Sequence, residues 1–174
     1  TGMDPNGVKG GGKRAVVNRD DPRGPRVAAS SSVPVWTYGI HSTADIKAEG
    51  IRLSAGGTSF LLQTPAGSGR VESKLVGEHN VYNLLAAIGA VLHEGLTLDQ
   101  ILSGIAGVTN VPGRFERVVA GQNFTVVVVY AHTEDALVRL LSAAQALQAG
   151  RLITVFGCGG DRDRTKRVRI RSVG

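Results

Sequence analysis

The chain has 174 residues, of which 42% are hydrophobic, and a formal charge of +6. That is enough for one domain or for parts of two, and no apolar run approaches the roughly 20 residues of a membrane-spanning helix. A lone cysteine, Cys158, excludes an internal disulfide framework, and no charged-then-apolar leader opens the sequence, so we expect a reducing, cytoplasmic setting.

The first twelve residues, "TGMDPNGVKGGG", lack periodicity and read as a disordered or cloning-derived leader. Within them and just beyond, Gly7 to Arg14 fits the G-x-x-x-x-G-K spacing of a phosphate loop. Arg14 stands where that loop needs Ser or Thr for magnesium, and no strand leads into it, so it is not read as one. "KRAVVN" is a short strand that ends in the polar turn "NRDDPRG", with Asp20 and Asp21 taken as turn residues rather than metal ligands. "VPVWTYGI" and "TSFLLQTP" have strand composition, and "IRLSAGG" is a weaker candidate between them. From Asn80 to His93 the spacing of Leu84, Ala87, Ile88 and Val91 predicts a helix, with Asn80 at its cap. The next helix begins at "TLDQIL", where Thr97 and Gln100 form a capping box.

At "VTNVPGR" the pattern restarts. Strands are expected around "RFERVVA" and "FTVVVVY", then a helix from about Glu134 to Ala149 stopped by Gly150, then a strand at "LITVF". Strand, helix and strand in about 30 residues make a βαβ unit, and four valines in a row suit a strand covered on both faces. Ligands of parallel sheets sit outside the strands' carboxyl ends, which here are the loops "YAHTED" and "GCGGDRDRTKR". One helix cannot cover both faces of such a sheet, so this unit reads as truncated and prone to self-association through its open edges.

The positive charge is confined to one place. Arg162, Arg164, Lys166, Arg167, Arg169 and Arg171 crowd the last stretch, while the preceding body is close to balanced. Aromatics are only 5% and do not interleave with the basic residues. We therefore expect no nucleic-acid partner; a basic loop suits an anionic small substrate.

Four segments in order, "GEHNVYNLLAA", "VPGRFERV", "VYAHTEDAL" and "VFGCGGDRDRTKR", together with "AVVNRDDPRG" and "WTYGI", resemble the Mur ligases. Within them the resemblance is to the branch that adds diaminopimelate or lysine during peptidoglycan synthesis, and it covers about Lys13 to Arg167. It implies an α/β fold: residues 13–110 as the later part of a central ATP-binding domain, and residues 111–174 as the start of a Rossmann-like parallel-sheet domain. The implied reaction uses ATP and Mg2+. ATP phosphorylates the carboxylate of a UDP-linked muropeptide, and the incoming amino group displaces phosphate. By the same resemblance Asn80, Asn83, Arg114, Tyr130 and His132 are nucleotide-binding residues. Arg162 grips the carboxylate of the incoming amino acid, the chemistry to which a guanidinium fork is suited. No residue is assigned a catalytic or metal-ligating role; Glu116, His79 and His93 are left unassigned, and Cys158 is taken as a packed residue.

The chain also departs from the pattern. Val129 replaces the family aspartate that accepts hydrogen bonds from the ribose hydroxyls, and Glu134 replaces a proline at the first helical position. The Gly-Lys-Thr phosphate loop, the modified lysine that supports magnesium and the UDP-sugar domain have no counterpart. "VRIRSVG" abandons the family's continuation, as a frameshift or truncated gene end would. The expectation is a chain inactive by itself. The alternatives are a related ligase, such as a cyanophycin or folylpolyglutamate synthetase, and a non-catalytic remnant that binds a nucleotide or a protein.

Overall fold

The computed structural model describes residues 12–54, 56–113, 116–130, 134–146, 150–155 and 157. The chain divides into two compact units, Thr1–Thr109 and Asn110–Gly174.

In the first unit β1 (Ala15–Asn18) is followed by α1 (Gly24–Ala29), and then by β2 (Val35–Gly39), β3 (Ile46–Ser54), β4 (Gly57–Thr64) and β5 (Gly67–Ser73). Two helices close the unit, α2 (Glu78–His93) and α3 (Leu98–Gly107). The five strands lie side by side in chain order, β1 to β3 parallel and β3 to β5 antiparallel. The core forms where α2 and α3 lie on this sheet: Ile46, Phe60, Leu62 and Val71 pack with Val81, Leu85, Ile88 and Leu92, and with Ile101 and Ile105. Each such side chain stabilises the fold by about 1.5–3 kcal/mol through burial.

The buried stripe of α2 runs through Val81, Leu84, Leu85, Ile88 and Leu92. Ala87, expected on that face, points to solvent. Gly89 lets the helix sit close, because a Cβ there would lie 2.7 Å from Val16 Cγ1 and 2.9 Å from Ile46 Cδ1. At the far end of α2, His93 meets the Trp36 ring edge-on and reaches the Gly12 carbonyl, while the Arg14 guanidinium lies over the Trp36 ring, 4.1 Å from its centroid. This cation–π contact is the partner of a guanidinium whose Nε is buried without a hydrogen bond.

Several expectations are refined. The capping box of α3 is present: Gln100 N donates to Thr97 Oγ1 at 3.3 Å and Thr97 N to Gln100 Oε1 at 2.9 Å. The strand expected at "IRLSAGG" begins earlier, at Ile46, and is interrupted by an irregularity between Glu49 and Arg52, where Gly50 has a φ of 59°. That break hides its alternation. β5, rich in glycine and serine, and α1, whose only signal is Pro25 in its first turn, were not expected from pattern.

The second unit has β6 (Glu116–Val118) and β7 (Val126–Val128) as an antiparallel pair, then α4 (Glu134–Ala146), which buries Leu137. The parallel pair expected between the valine run and "LITVF" is not formed among the described residues. Residues 152–155 are irregular, with Ile153 at 68% and Val155 at 92% exposure. An apolar run folds into a buried strand only where a sheet face covers it, and no described element covers this one. Val128 is half exposed for the same reason.

Gly24 fixes how α1 leaves β1. A Cβ at this position would stand 1.9 Å from the Asn18 carbonyl oxygen, a backbone atom that cannot swing aside. Gly24→Ala is therefore expected to destabilise the first unit by about 3 kcal/mol, measured by urea unfolding; a loss below about 0.5 kcal/mol would contradict the close approach.

Candidate functional site

The carboxyl ends of β1 and β2 meet the start of α2, the place where parallel sheets bind ligands. Asp20, just past β1, is the junction. Its Oδ2 accepts hydrogen bonds from the backbone N–H groups of Ile40 (2.6 Å) and His41 (3.1 Å) and from the Tyr82 hydroxyl (2.9 Å). Its Oδ1 accepts from Ser42 N at 2.8 Å. Consecutive amides aimed at one anion form a nest, filled here by the protein's own carboxylate. Gly39 leaves room for it, since a Cβ there would lie 3.1 Å from both carboxylate oxygens.

Charge follows from this geometry. Partial burial pushes the Asp20 carboxyl up, but the hydrogen bonds from Ile40, His41 and Ser42 outweigh it and hold the group well below the usual carboxylate range. Burial, then the hydrogen bond to Asp20, push the Tyr82 phenol well above its ordinary value, so it remains a donor. Burial and the nearby Asp21 charge raise Tyr38 as well. Asp21 itself caps a turn, accepting from Arg23 N at 2.7 Å. Asp21 is thus a turn residue as expected, whereas the Asp20 side chain bonds residues distant in sequence. Among the described residues no group of three His, Cys, Asp or Glu side chains is arranged to hold a metal.

The helix start differs from expectation. Gly77, with a φ of 96°, is the N-cap, so Asn80 lies inside the first turn rather than at its cap. Asn80 is 2% exposed; its Nδ2 donates to the Val76 carbonyl at 2.8 Å and its Oδ1 accepts from Asn83 Nδ2 at 3.2 Å. Asn83 is exposed. The buried asparagine thus orients the exposed one, whose amide oxygen and second N–H face no hydrogen-bonding partner among the described residues.

In the second unit Gly113 of "PGR" and Tyr130 of "YAH" come together. Tyr130 N donates to the Gly113 carbonyl at 2.8 Å, and Gly113 has a φ of 69°. Glu116, unassigned from sequence, closes this turn by accepting from Gly113 N at 3.0 Å. Tyr130 is 74% exposed and Val129 half-buried. Arg114, His132, Arg162 and Cys158 lie outside the described residues. Pattern missed the Asp20 and Tyr82 junction because its members are far apart in sequence; the signal present was a doubled acid at the end of a parallel strand.

Comparison with known proteins fits both units. The profile of the Mur ligase middle domain matches residues 6–91, and that of the Mur ligase glutamate ligase domain matches residues 113–174. The chain belongs to the Mur ligase family. It is 49% identical over 155 residues to a UDP-N-acetylmuramoyl-L-alanyl-D-glutamate–2,6-diaminopimelate ligase of Geobacillus kaustophilus, covering 89% of this chain and 32% of that protein. The ligase of the same name from Geobacter sulfurreducens is 48% identical over 163 residues, covering 94% and 32%. Among solved structures, one of a 2,6-diaminopimelate ligase of this name superposes with a TM-score of 0.67 and 34% identity, over 92% of this chain and 34% of the other. This Mur ligase chain spans about a third of the length of the curated relatives it matches. Like them it is an α/β protein, with a mixed parallel and antiparallel sheet. None of the described helices is long and apolar enough to cross a membrane.

A carboxyl depressed by folding stabilises the folded state above its unfolded pKa, near 4 for Asp. That contribution is lost as pH falls from about 4 towards the lower folded value. Asp20→Asn is expected to lower stability at neutral pH and to flatten the acid limb. Urea midpoints measured from about pH 6 to about pH 2 check this; identical acid slopes in the two proteins would contradict it.

Proposed function

We propose that this chain carries part of the nucleotide site of an ATP-dependent, ADP-forming amide ligase acting in the cytoplasm. The reaction is the addition of diaminopimelate to a UDP-linked muropeptide, with lysine the less supported amino acid. The observation that carries the reading is the identity of 48–49% to ligases of that name over nearly the whole chain. The geometry agrees with it. Asn83, exposed at the start of α2 and oriented by the buried Asn80, is suited to the polar edge of a base. Tyr130 stands beside Gly113, and the neighbouring Arg114 and His132 join the nucleotide set, with Arg162 assigned to the amino-acid carboxylate.

ATP, when bound, supplies the phosphoryl group that activates the muropeptide carboxylate. This chain's own residues bind and orient: Asn80 sets the Asn83 amide, and Gly113, with its left-handed backbone, accepts from the Tyr130 amide and so ties the two polar segments at that point. Mg2+ is implied by the family alone. The oxygens of Asp20 are already committed to four hydrogen bonds, so the described residues offer it no ligand set and no step is routed through it.

Val129 favours a second reading, nucleotide binding without turnover. Valine cannot accept a hydrogen bond from a ribose hydroxyl, and the loss of a charged acceptor costs about 1.5–3 kcal/mol, roughly ten- to a hundred-fold in affinity. Val129→Asp is expected to tighten ADP binding by about that factor in a calorimetric titration; unchanged affinity would remove the residue from the site. Turnover is tested on the protein that carries this chain, supplied with UDP-linked muropeptide, ATP and either amino acid. ADP release that requires diaminopimelate supports the ligase. Binding of ADP without release supports the second reading, and neither binding nor release overturns both.

A further inference from the structure

The described residues bring together one constellation that the nucleotide reading does not use. Asp20 is fixed to two distant parts of the chain, the loop after β2 and, 62 positions away, the first turns of α2. It touches that helix at Tyr82, which lies next to Asn83 and within one turn of Asn80. The asparagines form a second chain of contacts, from Asn83 to Asn80 to the Val76 carbonyl. The start of α2 is therefore tethered twice, by Tyr82 to Asp20 and by Asn80 to the Val76 carbonyl, and Asn83 adjoins both tethered residues.

We propose that Asp20 is a positioning residue for the nucleotide site: through Tyr82 and the Ile40–Ser42 amides it fixes the turn of α2 that presents Asn83. The inference rests on the reading of Asn83 as a nucleotide contact, but its geometric half stands independently. Asp20 is assigned no direct contact with the nucleotide: four donors of the protein already converge on its carboxylate. Its requirement is for an anion. Asparagine at this place would turn an N–H toward amides that are themselves donors, leaving part of the nest unsatisfied. Removing the side chain leaves the Ile40, His41 and Ser42 amides converging on a vacated site of carboxylate size, which a small carboxylate from solution refills.

The test uses the whole chain, with Asp20→Ala, Asp20→Asn and Tyr82→Phe. Side-chain amide resonances of Asn80 and Asn83 report the geometry, ADP titration reports the function, and added formate probes the nest. All three variants are expected to move the asparagine resonances and to weaken ADP about tenfold, equivalent to about 1.4 kcal/mol. Formate is expected to restore the alanine variant but neither of the others, a selectivity that general loosening of the fold would not produce. Tyr82→Phe keeps the ring, so it carries the test if the Asp20 variants do not fold. Unmoved asparagine resonances in Tyr82→Phe overturn the proposal, as does ADP affinity equal to that of the unaltered chain. If the unaltered chain does not bind ADP, the nucleotide reading falls, and the resonances alone decide whether Asp20 positions the turn.

Discussion

A carboxylate seated in three backbone amides is what the first unit is built around. Parallel neighbours ordinarily need a crossover of a dozen residues or more, yet β2 and β3 are joined by residues 40–45 alone. The short connection is possible because the strands overlap only at Tyr38 with Ile46 and Gly39 with Lys47, so the chain need not travel back along β2. Its cost is a tight loop whose amides have no ladder partner. Asp20 satisfies those at the start, and Asp45 closes the end by accepting from both Thr37 N and Thr37 Oγ1 at 2.7 Å. Without a charge at position 20, the part-buried N–H groups of Ile40 and Ser42 would lose their acceptor, which is costly.

The same junction explains why the site lies where it does. β1 and β2 supply loops, α2 supplies its first turn, and the core beneath holds the helix against the strands through Val81, Leu85 and Ile88. Gly39, Gly77 and Gly89 mark the close approaches in this frame. The second unit presents its polar segments differently, by folding the turn at Gly113 onto the end of β7. Membership in the Mur ligase family fits the α/β architecture of the first unit, and in each unit the polar segments are held by backbone hydrogen bonds.

Sequence carried the family, the long helix and the capping box, because each is written in a local pattern: four ordered motifs, a 3.6-residue period, and Thr97 with Gln100. It did not carry β5, whose glycines and serines lack strand composition, or the early start of β3, whose alternation breaks at Gly50. The cap of α2 was misplaced at Asn80 because asparagine favours caps, whereas here its side chain is buried and bonded one turn back. "LITVF" has the composition of a strand but no covering face among the described elements. The Asp20 junction was the least legible feature. "DDP" is an ordinary turn in sequence, and only the fold reveals that Tyr82 and Ile40 come to meet it.

The most direct measurement is the carboxyl 13C resonance of Asp20 followed through an acid titration of the folded chain. A carboxylate held in the nest should remain ionised through the ordinary carboxylate range, with no midpoint near 4, and the Tyr82 hydroxyl should stay bonded to it. A midpoint at the value of a free aspartate would mean that the nest does not hold the charge. The junction would then not be what joins β1, β2 and the start of α2.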